Sequence, residues 1–191
     1  MSDDEFKPLT ETQINEFLAE HLRKRMNVIV GAKAFCVKYG AEKLLNSDEI
    51  NAFRLMNEYE EICNIPFLAP MFNPMIIPIL TQLIQLGPLC TDLNKWIRDL
   101  SLRVAAQKLS SIEIFNHNVE LNGLENMLTN EEKRAIELQK KYKDDIFPRL
   151  STITPEDKQE LESMLAEVLA LPKIYMNATE LYVRITQRST D

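Results

Sequence analysis

Two histidines, His21 and His117, and three cysteines, Cys36, Cys63 and Cys90, are the residues best suited to nucleophilic or metal chemistry in this 191-residue chain. A catalytic triad sets a histidine between a nucleophile and an orienting acid. No Gly-x-Ser-x-Gly elbow is present, and no cysteine stands in a recognisable catalytic frame. Cys36 and Cys63 fall in helical stretches and read as buried core thiols. Glu113 and His117 stand four apart and would share a helix face. A di-iron bundle needs two Glu-x-x-His motifs and two further glutamates, which the sequence lacks. The zincin, EF-hand and phosphate-loop patterns are absent, and no CxxC pair exists to build a zinc ribbon. Glu58, Glu60 and Glu61 cluster in "EYEE" and read as a solvated helix face. One catalytic reading survives: a small enzyme using Glu58, Glu61 and His117, which requires those side chains to converge. The stronger expectation is a protein with no catalytic residue, no metal and no cofactor.

Charge narrows the class further. Lys and Arg number 22 against 29 Asp and Glu, for a net charge of −7 and a pI near 5.0. Binding nucleic acid in general needs an excess of cations to neutralise phosphates, so this acidic protein is not expected to do so. "HLRKR", His21 to Arg25, is the one dense basic cluster. Its residues spread over more than one helical face, because only spacings of three or four align. Four glycines are too few for the turns of an all-β fold. The odd cysteine count and the acidic, leaderless "MSDDEFKPLT" point to a reduced, cytoplasmic protein. The "NAT" sequon at Asn177 reads as accidental.

The elements that must position these residues are helical. Residues 1–9 read as a disordered acidic tip and 10–191 as a single all-α domain, with a possible lobe junction near 116–130. "TETQ" from Thr10 opens a helix with the stripe Ile14, Phe17, Leu18, Leu22, Met26 and Ile29, which Gly40 stops and Gly31 could kink. Asn46 to Glu49 cap a second helix whose apolar face is Ile50, Phe53, Met56 (or Leu55) and Ile62. Leu93, Trp96, Ile97, Leu100, Val104 and Leu109 stripe another. "IEIFNHNVEL" is open between a short strand pair and a helix. Thr129 starts a charge-rich helix expected to lie on the surface. Thr154, Pro155 and the acids after them form the clearest helix start in the chain. A last helix carries Ile174, Ala178, Leu181, Tyr182 and Ile185. The fold class is therefore all-α, an irregular bundle of six to eight helices around a central hydrophobic helix near residues 75–86.

That hydrophobic helix lies in the most unusual stretch. No charged residue occurs from Ile62 to Thr91. A membrane span needs about 20 continuous apolar helical residues. Pro66, Pro70, Pro74 and Pro78 interrupt the run, and proline both lacks the amide donor and clashes with the carbonyl four residues back. The expected layout is an extended apolar connector from Asn64 to Asn73, then a short helix capped by Asn73 with Pro74 at its first position. A membrane span is thus unlikely on these residues. Phe67, Leu68, Met71, Phe72, Met75 and Ile76 are the candidate partner-binding residues, because leaving them in water forgoes roughly 1.5–3 kcal/mol each unless a partner covers them. The functional expectation is non-enzymatic: an adaptor or assembly subunit that docks a protein partner, or itself, through the helical apolar surface of residues 65–90. The alternative is a lipid- or membrane-associated helical protein sheltering an apolar ligand.

Overall fold

The computed structural model of the chain describes residues 10–64, 72–152 and 154–188, with the side chains of Phe72 and Asn73 left out. The expected acidic tip and residues 65–71 of the expected connector lie outside the described residues. Among the described residues there are seven α-helices and no strand, so the fold is an all-α bundle. The helices are α1 (Glu11–Tyr39), α2 (Ser47–Cys63), α3 (Phe72–Gln85), α4 (Leu93–Leu121), α5 (Asn130–Lys141), α6 (Pro155–Ala170) and α7 (Ala178–Arg188). The chain forms two compact units. Residues up to 35 and 45–97 make the first, and residues 36–44 and 98 onward make the second.

Local chemistry explains the helix starts. Asn46, Thr129 and Thr154 each accept from the backbone amide three residues on, and Glu49, Glu132 and Asp157 return a bond to the cap amide. These reciprocal bonds satisfy orphan donors of the first turn. Asn177 does the same for α7, its Oδ1 accepting from the amides of Thr179 (3.1 Å) and Glu180 (3.3 Å). The asparagine of the "NAT" sequence therefore has a structural task. Gly40, at φ 72°, occupies the left-handed region that ends α1. Gly31 does not interrupt α1. A Cβ there would come within 2.7 Å of the Leu93 side chain, so glycine permits the close packing of α4's first turn.

In the first unit α1 contributes Leu22, Met26, Ile29 and Ala32 to the buried residues, α2 contributes Ala52, Leu55 and Met56, and α3 contributes Ile76, Ile79, Leu80 and Leu83. Trp96 is buried and stacks on Phe53 with ring centroids 5.8 Å apart. Parts of the expected stripes are not covered. Ile14 and Phe17 are exposed because the first turns of α1 carry little packing, and Ile50 points outward while Leu55 and Met56 are both buried.

In the second unit, Ile112, Phe115 and Val119 of α4 pack with Ala135 and Ile136 of α5, Tyr175, and Leu181 and Ile185 of α7. Ala105 and Leu109 pack with Leu138, Ile146, and Met164 and Val168 of α6. The "IEIFNHNVEL" segment is helical, since α4 continues unbroken to Leu121. Helix α5 is less superficial than its charge suggests, for Ala135, Ile136, Leu138 and Gln139 are all buried.

Candidate interaction surface

Helix α3 starts at Phe72, so Asn73 is its second residue and not the cap that was expected, and Pro78 lies inside it as the expected layout required. Pro74 is its third residue, where a missing amide costs nothing because the first four amides have no intrahelical acceptor. Pro78 leaves the Pro74 carbonyl without its usual donor, yet both prolines are exposed, so water reaches that carbonyl. Further along, Thr81 Oγ1 donates to the Ile77 carbonyl at 2.8 Å.

One face of α3 packs against α2, and Arg54 Nη2 of α2 donates to Gln82 Oε1 at 3.0 Å. Among the described residues the opposite face is exposed. Ile77 is 46% exposed and Ile84 51%, and Pro74, Pro78 and Thr81 beside them are also exposed. Spacings of three and four residues place 77, 81 and 84 on one stripe, with 74 and 78 alongside. No residue of this stripe carries a charge.

Of the six residues expected to bind a partner, Phe67, Leu68 and Met71 lie outside the described residues, and the Phe72 side chain does too. Met75 is 37% exposed and belongs to the bare surface. Ile76 is buried and belongs to the packed face, because it is one position out of phase with Ile77. Ile84 is a surface residue that sequence reasoning missed. Its signal was present: it continues the stripe of Ile77 and Thr81 at helical period.

The residues weighed for chemistry are engaged elsewhere or belong to different units. Glu58 pairs with Arg54, and Glu60 and Glu61 are exposed on α2 in the first unit. His117 is exposed on α4 in the second unit, and Glu113 pairs with Lys143 at 2.6 Å instead of with His117. The ring of His21 stacks on Phe17 with centroids 4.1 Å apart, and Arg25 Nη1 lies 3.3 Å from His21 Nδ1. Lys24 of the basic cluster pairs with Glu20 at 2.7 Å. No disulfide joins the cysteines. Cys36 is buried as expected and Cys90 is buried too, but Cys63, expected in the core, is exposed, because it ends α2 beyond that helix's packed residues. Burial pushes the Cys90 thiol up to about 11. Among the described residues no cluster of side chains could hold a metal ion, and no helix is long and apolar enough to cross a membrane.

Two buried polar arrangements in the second unit were not anticipated. Lys108, 1% exposed, donates to the carbonyls of Val168 (3.3 Å), Leu169 (2.9 Å) and Leu171 (2.5 Å) at the C-terminal end of α6. A helix end offers carbonyls without amide partners, and the lysine adds a donor at Leu169 and Leu171 and a second one at Val168, which also accepts from the Leu171 amide. Burial pushes the Lys108 ammonium down to about 8. Glu132 makes a two-point pair with Arg188, whose Nη2 and Nη1 lie 2.5 Å and 3.0 Å from the two carboxylate oxygens. Burial alone would raise the Glu132 carboxyl, but Arg188 and the Thr129 amide outweigh it and hold it below its ordinary value. Both arrangements tie helices together, and neither opens onto a reacting atom.

No known protein family matches this chain, and neither a curated protein nor a solved structure matches it.

Proposed function

We propose that this chain is a non-enzymatic interaction subunit that engages a protein partner, or a second copy of itself, through the outer face of α3. The observation that carries the reading is the bare, uncharged stripe of Ile77, Pro78, Thr81 and Ile84, with Met75 beside it. Each half-exposed isoleucine forgoes on the order of 1 kcal/mol of burial that an occupant would supply. Such a surface is ordinarily a contact surface when its residues are contiguous. A cytoplasmic location is part of the same proposal, as is the absence of a catalytic role.

A photo-crosslinking side chain at Ile84, with a control at the exposed Lys133 of α5, tests the reading in cell extract and with purified protein. The expected result is a discrete protein adduct from position 84 that disappears when Ile77→Asp is added, while the circular-dichroism melt stays unchanged. An adduct pattern identical at both positions overturns the reading. Flotation of the wild type with lipid vesicles, abolished by Ile77→Asp, would replace it with the lipid-associated alternative.

A further inference from the structure

We propose that the second unit binds a small, neutral aromatic amide in the cleft between α4, α5 and the π turn that follows α5. The cleft has a volume of about 340 Å³. That falls at the small end of the range for ligand pockets. Its walls include Leu109 of α4, Gln139 of α5, and Tyr142 and Phe147 at either end of the turn.

Gln139 is the decisive residue. The residue as a whole is 5% exposed and lines the cleft, and its carboxamide, which bonds no other described residue, is not a fully buried group but opens onto the cleft. A carboxamide offers a donor and an acceptor side by side. The group that satisfies both at once is another amide, presenting its own acceptor and donor in the reverse order.

The rim sets the charge of the occupant. Glu113 and Lys143 both border the cleft, and their side chains pair with each other at 2.6 Å. A carboxylate or an ammonium ligand would have to compete with that pair, whereas a neutral ligand leaves it intact. The walls set the shape. The Tyr142 and Phe147 rings lie 6.1 Å apart, tilted by 58°, in the range of favourable aromatic pairs. Phe147 is 61% exposed at the cleft's edge, so a flat ring seated beside it would cover apolar surface now in water.

The backbone explains why both rings reach one cleft. Residues five apart on a regular α-helix are rotated by about 140° from each other and face different ways. Here the Phe147 amide donates to the Tyr142 carbonyl, five residues back, in a π turn over Tyr142–Ile146. The wider turn brings the two rings together. Single π turns are uncommon and concentrate at functional sites.

Titration of the ¹⁵N-labelled chain with benzamide, benzoate and toluene, followed by amide NMR, tests the assignment. The side-chain NH₂ signals of Gln139 are identified by their loss in Gln139→Leu. Benzamide is expected to shift those signals and the backbone amides of Tyr142 and Phe147, and to bind about tenfold more tightly than toluene or benzoate. Gln139→Leu should erase the preference for benzamide over toluene, and Phe147→Ala, at an exposed position, should weaken every probe without altering the fold. The wild-type ranking alone is diagnostic should Gln139→Leu fail to fold. No shifts at millimolar benzamide, shifts confined to other regions, or equal or tighter binding of toluene or benzoate would overturn the proposal.

Discussion

Replacing Lys108 by methionine tests how a buried cation is held without a carboxylate partner. Methionine keeps the length and apolar stem but removes all three bonds to the carbonyls of Val168, Leu169 and Leu171. A buried carbonyl left without a donor costs about 1–3 kcal/mol; Val168 keeps its bond from the Leu171 amide, so losing the donor to the Leu169 and Leu171 carbonyls costs roughly 2–6 kcal/mol. Against this stands relief of desolvation. Moving the ammonium from its ordinary 10.5 to about 8 corresponds to about 3 kcal/mol against the charged form. The net expectation at pH 7 is a loss of no more than about 3 kcal/mol. The pH dependence is the sharper signature. The folded value lies below the unfolded one, so between about 8 and 10.5 the unfolded chain holds a proton that the folded chain has released. Stability contributed by this group therefore rises with pH through that window and is constant below it. Cys90, Tyr59 and Tyr175, raised mainly by burial, act in the opposite sense in alkali, but they are common to both proteins and cancel in the difference. Urea unfolding followed by circular dichroism at several pH values from 7 to 10.5 gives that difference directly. The cost of Lys108→Met should grow by about 3 kcal/mol across the series. A cost that stays flat, or a variant more stable than wild type throughout, would refute the reasoning.

Adjacent isoleucines on α3 should behave in opposite ways. Ile76→Asp buries an unpaired carboxylate and should unfold the first unit, reported by fluorescence of the lone Trp96, whereas Ile77→Asp at an exposed site should shift stability by no more than about 0.5 kcal/mol. Arg188→Ala leaves the buried Glu132 carboxylate without its pair and should cost about 2–3 kcal/mol at pH 7 by urea unfolding. Because Glu132 is held below its ordinary value of 4.5, its stabilisation is present above that pH and is lost as pH falls through the lower folded value; Arg188→Ala should flatten this acid limb. Pro78→Ala restores an amide donor to the Pro74 carbonyl and should raise the thermal midpoint, by up to about 3 kcal/mol in stability. Of the three cysteines only Cys63 should react with a bulky thiol reagent in the folded protein, as mass spectrometry would show.

Helix existence was legible because it is local. Asn46, Thr129 and Thr154 advertise their caps in sequence, and the capping bonds form as the pattern dictates. Burial was less legible because it depends on what arrives from elsewhere. Ile14, Phe17 and Ile50 satisfy helical period yet remain exposed, while α5 buries one face despite its charge. Lys108 shows the limit best. It falls on the buried stripe of α4 between Val104 and Ile112, where a lysine reads as a fault in the pattern. Only the arrival of the α6 terminus, some sixty residues later in sequence, turns it into a cap. The cleft beside Gln139 was illegible for the same reason. A π turn has no sequence signature comparable to a capping box, and an unpaired amide is visible only once its neighbours are placed.

The prolines of α3 sharpen the functional reading. An interior proline costs a helix about 3 kcal/mol, and the packed face must offset it. Ile76, Ile79, Leu80 and Leu83 are each nearly fully buried, and at roughly 1.5–3 kcal/mol apiece they suffice. The helix therefore survives Pro78 without help from its outer face. On that outer face a charged or polar residue would serve stability and solubility better than proline or isoleucine, since it would solvate freely and restore the backbone bond. Pro74, Pro78, Ile77 and Ile84 stand there instead. The packing of the described residues of the first unit gives no reason for them. A surface that another molecule covers does give one, because rigid rings and branched side chains present apolar area that loses little conformational freedom on binding.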